Sequence, residues 1–487
     1  MKKPLFFIQQ VIPQSKLKFV LGAFTLKSKS FILSSAFMIA LLCVAARVKS
    51  PPRIYPTGVT IYSPSRAYNS YISFSAGDGK THLIDMNGNE VHQWPYYAVP
   101  GQVIDPQLIG GKRGHVLVQL SGNGDVRGGI FGNKTVGELD WDGNKIWEWG
   151  TQAPGGSARQ NHDWGKLANG NTLLVVAIPS HIKELSDYEI GDQGIYEVAP
   201  DGNIVWKWVA SEHLNEFGFS EDGIKYLHHL LSKDGGSVWG YLEINDMKVL
   251  GPNHWYDEGD KRFNPNNVII DSRKGNFIAI IDKETKKIVW RLGPYFDGSN
   301  DSPDGRLLKK NLPRPVDQIV GQHDAQIIPE GLPGAGNLLV FDDQGDAGFP
   351  PASLGIYAGS RILEIDPVKK EIVWQYTGEN SNRPVWSFYS SFISSARRLP
   401  NGNTLIDEGM NGRFFQITPT GEIVWEYLNP YFNADATDAN KDIQVNDLVY
   451  RAIPIPYNWV PEGTPHEEDS VIAIDITKFH VPIYHKN

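Results

Sequence analysis

The stretch LIDMNGNEVHQW, residues 83–94, reads as an apolar strand ending at Asp85, a turn over Asn87 and Gly88, and a second strand closing on Trp94. Asn-Gly and Asp-Gly pairs tolerate positive φ, which a tight hairpin turn requires. The phrase returns as ELDWDGNKIWEW (138–149), EVAPDGNIVWKW (197–208), IIDKETKKIVWRL (280–292), EIDPVKKEIVWQY (364–376) and QITPTGEIVWEY (416–427). Its end positions, 94, 149, 208, 292, 376 and 427, lie 55, 59, 84, 84 and 51 residues apart. A second hairpin phrase precedes several of them: KLANGNTLLVV (166–176), PGAGNLLVF (333–341) and RRLPNGNTLI (397–406). Two hairpins make a unit of four antiparallel strands, with no amphipathic helix of any length expected between units. Six such units predict an all-β fold, a six-bladed β-propeller spanning residues 51–430, whose longer intervals hold insertions. The Trp and Tyr side chains of the last strands are expected to pack one blade against the next. Residues 431–487 lack the repeat and are expected to close or wrap the ring.

Charge divides the chain in two. Of 46 Lys and Arg against 55 Asp and Glu, eight basic and no acidic residues fall within positions 1–50. The remainder carries 38 basic against 55 acidic side chains, a balance of −17. Nonspecific nucleic-acid binding runs on neutralising phosphates with Lys and Arg, so an acidic body argues against a nucleic-acid partner. Residues 31–46 form an apolar run with six lysines before it and Arg47 and Lys49 after it. Its length falls between a signal-peptide core and a membrane span, so residues 1–50 read as a cleaved signal peptide or an N-terminal membrane anchor. Either reading puts the acidic body outside the cytoplasm, periplasmic or extracellular. The single cysteine, Cys43, allows neither an intrachain disulfide nor a thiolate metal cluster. The whole chain has 41% hydrophobic residues, 14 Trp, 20 Tyr and 21 Phe, enough for the body to bury a large core, which excludes disorder.

Propeller geometry brings the start of each innermost strand to one mouth of a central channel. Aligned on the Asn-Gly hairpins, His162 stands five residues before Leu167, Asn245 five before Leu250, His323 five before Ile328 and Ser394 five before Leu399. Arg273 closes the second-strand run NNVIIDSR and returns to the same face. Histidine serves as base, metal ligand or nucleophile. Scattered over separate blades, with no HExxH cluster, the histidines give metal binding little support. His228 and His229 are adjacent and in a strand would point to opposite faces. An arginine beside two histidines suits a tetrahedral oxyanion, because the guanidinium is a planar fork of donors. That points to sulfate or phosphate esters. The plainer reading of the same residues is hydrogen-bonded blade packing. GDGKT (77–81) lacks the upstream glycine and following helix of a nucleotide loop, and no GxSxG occurs.

These phrases resemble the bacterial aryl-sulfate sulfotransferases. The resemblance runs over residues 55–430, through NHDWGKLANGNT, YLEINDM with NNVIIDSRKGNFIAIID, GQHDAQ with LLVFDDQGD, and the Trp-rich blade ends. It implies a six-bladed propeller that moves a sulfuryl group from a phenolic sulfate to a phenolic acceptor by ping-pong transfer through a sulfohistidine. No nucleotide sulfate donor, metal or organic cofactor is implied. Position by position, His323 matches the nucleophile, His162 a sulfate-binding partner, Arg273 the neutralising guanidinium and Asn245 the accompanying amide. The pattern departs at Glu243, where the resemblance calls for a second histidine. A carboxylate cannot clamp sulfate; it could take the acceptor's proton, or be an ordinary carboxylate at the channel mouth. His254, in the insertion GPNHWYDEGD, is the candidate to restore the missing donor. Two alternatives stay open: an exported, non-catalytic binding or scaffold propeller, which the Glu243 departure favours, and a quinone-dependent dehydrogenase, which normally has eight blades and calcium. Donor, acceptor and oligomeric state, a homodimer included, are not fixed by the sequence.

Overall fold

The computed structural model describes residues 56–120, 133–233, 241–293, 319–345, 359–432, 447–473 and 475. The N-terminal segment of residues 1–50 and its apolar run lie outside them. Six small antiparallel sheets form the propeller, and the fold agrees with the repeat count, six rather than eight. From the axis outward, blade 3 consists of Gln160–Lys166, Thr172–Ser180, Ile190–Val198 and Ile204–Val209. Blade 4 follows with Ile244–Val249, Val268–Ser272, Phe277–Ile281 and Ile288–Leu292, and blade 5 with His323–Ile327, Leu338–Asp342, Arg361–Asp366 and Glu371–Tyr376. The GDGKT segment is the hairpin turn between Tyr71–Ser75 and Thr81–Ile84 of blade 1.

Both ends of the described chain complete the ring. Ile453–Ile455 is the innermost strand of blade 1, with Tyr71 opposite Ile455. Gly58–Tyr62 adds a fifth, outer strand to blade 6, paired with Ile423–Leu428. A strand from beyond the last repeat therefore ties the first blade to the last.

The repeated tryptophans perform one job six times. Trp94 donates its indole N–H to the Asp140 carbonyl (3.2 Å), Trp149 to Gly202 (3.0 Å) and Trp208 to Lys286 (3.1 Å). Trp290 donates to Pro367 (2.8 Å), Trp374 to Pro419 (3.0 Å) and Trp425 to Met86 (2.8 Å). Each acceptor lies in the outer hairpin turn of the next blade, and the last step returns to blade 1. The ring positions differ by two residues between blades 1–3 and 4–6, which strand alternation permits because both register positions face the same way. Around these anchors the apolar core fills the spaces between blades: Trp208, Leu173, Val175 and Ile195 meet Val268, Ile270, Phe277 and Ala279 between blades 3 and 4. Each large apolar side chain buried there contributes on the order of 1.5–3 kcal/mol.

One expectation fails. An α-helix, Glu221–Lys233, lies in the interval between blades 3 and 4 and buries Leu227 and Leu231 against the core. Apolar residues at 224, 227 and 231 follow the helical period, and tertiary packing supplies the stability that a 13-residue helix lacks alone. His228 and His229 belong to this helix and not to a strand; His228 Nε2 stands 3.5 Å from Asp187 Oδ1.

Candidate active site

The inner strands lean on one another through aspartates. Asp163 Oδ2 accepts from the Met247 amide (3.0 Å), Asp271 Oδ2 from Ala325 (3.1 Å) and Asp324 Oδ2 from Ala396 (3.2 Å). The blades carrying His162, Asn245, His323 and Ser394 are thereby fixed in relative height, as the hairpin alignment expects. Arg451, from the segment after the last repeat, reaches the axis. Its Nη1 meets Asp163 Oδ1 (3.0 Å), its Nη2 meets Asp246 Oδ1 (3.1 Å) and its Nε meets Asp324 Oδ1 (3.2 Å). Lys248 joins the same three carboxylates. A cavity of about 270 Å³ lies farther along these strands, with Asp163, Lys248, Arg397 and Arg451 in its wall.

At the other end of the strands, His162, Glu243, Arg273 and His323 share one electrostatic neighbourhood. Burial is the largest influence on both histidines and lowers each to about 3. For His162, Glu243 opposes this, and His323, Arg273 and Lys274 add to it. For His323, Arg273 adds to it and Glu243 opposes it. Both rings are therefore neutral near pH 7. His162 takes φ of 55° and Glu243 φ of 48°, left-handed conformations uncommon for non-glycine residues.

Arg273 begins just past the strand Val268–Ser272 and returns to the mouth. Its Nη1 lies 2.5 Å from Glu243 Oε1, and Lys274 Nζ lies 3.5 Å from Glu243 Oε2. Burial pushes the Glu243 carboxyl upward, but the guanidinium and ammonium outweigh it and hold the group below its usual range. Glu243 is thus an anion clamped to the cation that the alignment offers to a substrate. The ring of Phe392 covers Arg273, 5.3 Å from the guanidinium carbon.

His323 is 3% exposed and held on both nitrogens: Nδ1 lies 2.8 Å from Asp343 Oδ2, and Nε2 accepts the Ile393 amide N–H at 3.1 Å. Asn245 is fully buried and donates through Nδ2 to the Gln322 carbonyl (3.2 Å), bracing the residue before His323. Its Oδ1 has no hydrogen-bond partner among the described residues. His254 stands apart. Its short helix, His254–Asp257, packs on Gly336, in the turn between the first two strands of blade 5 and at the opposite end from His323.

Three participants escaped the sequence reading. Asp343 stands in the quoted phrase LLVFDDQGD, where alternation along a strand would have separated it from Asp342. Ile393 acts through its backbone and has no side-chain signature. Arg451 pairs with residues 127 to 288 positions away, beyond any local pattern.

The family described as Arylsulfotransferase (ASST) matches residues 102–451, a span that ends on Arg451 itself. Among curated proteins no relative of the chain is found. Among solved structures, a protein of unknown function from Bacteroides caccae is similar over 80% of this chain and 99% of its own, at 12% identity and a TM-score of 0.42. A europium-containing methanol dehydrogenase matches 75% of this chain and 69% of its own, at 16% identity and a TM-score of 0.34. Virginiamycin B lyase from Staphylococcus aureus matches 73% and 80%, at 12% identity and a TM-score of 0.33.

Proposed function

The chain belongs to the arylsulfotransferase family, and from that premise we propose that it moves a sulfuryl group from a phenolic sulfate ester to a phenolic acceptor in two steps through His323. The observation that carries this reading is the His323 ring, buried, neutral and within the electrostatic reach of Arg273 and His162, with the Nε2 lone pair held at rest by the Ile393 amide. In the first step Nε2 attacks sulfur, the N–S bond forms, and the S–O bond breaks with its electron pair leaving on the phenolate. Arg273 and His162 offset charge on the sulfuryl oxygens, and donors fixed in a poorly hydrated site stabilise such charge by a factor of about 10²–10³ each. In the second step an acceptor phenol attacks the same sulfur and returns the electron pair to Nε2. No nucleotide sulfate donor enters the cycle.

Glu243 is the group we assign to the acceptor's proton. While it holds Arg273 its basicity is depressed; once sulfuryl oxygens take over the guanidinium, that depression is relieved and the carboxylate is a better proton acceptor. The basic, acid-free first 50 residues support placing the reaction outside the cytoplasm. The deciding experiment mixes the purified protein with 4-nitrophenyl sulfate and phenol and follows nitrophenolate. Turnover that is lost in His323→Ala, with the fold retained, supports the reading. Turnover retained in that variant overturns it.

The closed Glu243–Arg273 pair gives a second reading some support, that of a non-catalytic binding propeller whose anion clamp is filled from within. Absence of turnover over a panel of donors and acceptors would favour it.

A further inference from the structure

We propose that Asp343 is a positioning residue that, with the Ile393 amide, locks His323 in the Nδ1–H tautomer, so that Nε2 is the atom that carries the sulfuryl group. This rests on the reading of His323 as the nucleophile. The argument runs on hydrogen-bond polarity. A backbone N–H can only donate, so Nε2, facing the Ile393 amide at 3.1 Å, must present its lone pair. A neutral imidazole has one proton, which must then sit on Nδ1. Nδ1 faces Asp343 Oδ2 at 2.8 Å, which accepts it. The Ile393 amide thus fixes the tautomer, and Asp343 Oδ2 is placed to receive the Nδ1 proton.

The supports are rigid. Asp343 follows directly on the strand Leu338–Asp342, is fully buried, and gives its backbone carbonyl to the Ser360 hydroxyl at 2.9 Å. Its second carboxyl oxygen faces the Ser394 hydroxyl at 3.3 Å. Asp342, pointing the other way, is consumed by Arg361, Gln344 and the Val320 amide, and so cannot substitute. Ile393 holds its N–H in place from φ of 51°, a rare conformation for a β-branched residue.

The same pair has a second effect during transfer. When Nε2 bonds to sulfur, the ring keeps its Nδ1 proton and becomes a cation. The Asp343 carboxyl, in hydrogen-bond contact with that proton, is placed to stabilise the charge as it appears. Transfer requires the 3.1 Å contact between Nε2 and the Ile393 N–H to open, so that sulfur takes the lone pair the amide holds at rest.

Nitrogen-15 NMR of the full chain labelled at histidine, with His323 assigned by comparison with His323→Ala, reads the tautomer without any assay. The expected result is a protonated Nδ1 and a bare Nε2; a protonated Nε2 overturns the inference. For the reaction, Asp343→Asn should lower kcat at least about a hundredfold while the donor KM stays within about threefold, the pattern of a lost orienting carboxylate. Asp343→Glu should recover part of the loss. An Asp343→Asn enzyme with unchanged kcat would also overturn the inference. Loss of activity in His323→Ala together with full activity in Asp343→Asn would leave His323 as nucleophile and remove only the role of Asp343, whereas an active His323→Ala would remove both.

Discussion

Glu243 and Arg273, which flank adjacent strands of blade 4, meet at the channel mouth, Oε1 to Nη1 at 2.5 Å, with both side chains only 11% exposed. In the proposed reaction this carboxylate occupies the donors that a sulfate ester would take, so the ester has to displace it. Breaking a buried pair is costly, so the pair sets how readily the donor enters.

Removing that competition should separate the two half-reactions. In Glu243→Gln the guanidinium is freed, and the donor KM should fall several-fold while the initial burst of nitrophenolate persists. The acceptor step, deprived of its base, should slow by about a hundredfold, the low end for general-base catalysis. Rapid mixing with and without phenol resolves the two. If neither rate nor KM changes, Glu243 has no part in the reaction.

A trapped intermediate is the second expected outcome. Protein treated with donor alone, quenched in base and measured by intact mass, should carry one added sulfuryl group on His323, labile to acid. An active enzyme with no added group would contradict transfer through histidine.

The pH dependence follows from burial. With both histidines lowered to about 3, chiefly by desolvation, neither gains a proton between about pH 5 and 8. The donor half-reaction should therefore show no acid limb near 6.5, and an inflection there would count against His323 as the neutral nucleophile. Stability behaves accordingly. Below about 6.5 the unfolded histidine binds protons that the folded one refuses, so each ring's contribution is lost as pH falls toward 3. His162→Gln should lose less stability than the wild type over that window, as read from denaturant midpoints.

Arg451 is 2% exposed in its side chain and contacts three aspartates. Arg451→Met leaves those carboxylates facing one another, which should destabilise the protein by about 3–5 kcal/mol. Equilibrium denaturation measures it; a change under about 1 kcal/mol would show that the three aspartates are not held by this residue.

Trp425 closes the ring onto Met86 through one indole N–H. Trp425→Phe keeps most of the apolar area and deletes the donor, so it should cost about 1 kcal/mol. An unchanged denaturation midpoint would leave the closure to packing alone.

The repeat made the propeller legible because hairpin turns, strand alternation and blade-end aromatics are local properties, readable within a dozen residues. LIDMNGNEVHQW already contains the strand, the turn and the tryptophan that binds the next blade. The common height of His162, Asn245 and His323 was legible for the same reason, since each occupies an equivalent place in its unit, and that of Arg273 because it closes a second strand that returns to the same face. The helix Glu221–Lys233 was hidden because an insertion owes nothing to the repeat. What the tertiary structure alone decided is which groups meet: Glu243 on Arg273, Asp343 and Ile393 on the two nitrogens of His323, and Arg451 on three aspartates from three blades. His254 matched by residue type but lies at the far end of its blade, because an insertion's height along the axis is set by the strand it leaves. Sequence determined the ring by short-range periodicity; the chemistry of its mouth depends on which strand ends meet within a blade and which segments meet between blades, and only the folded sheets and the closed ring define those.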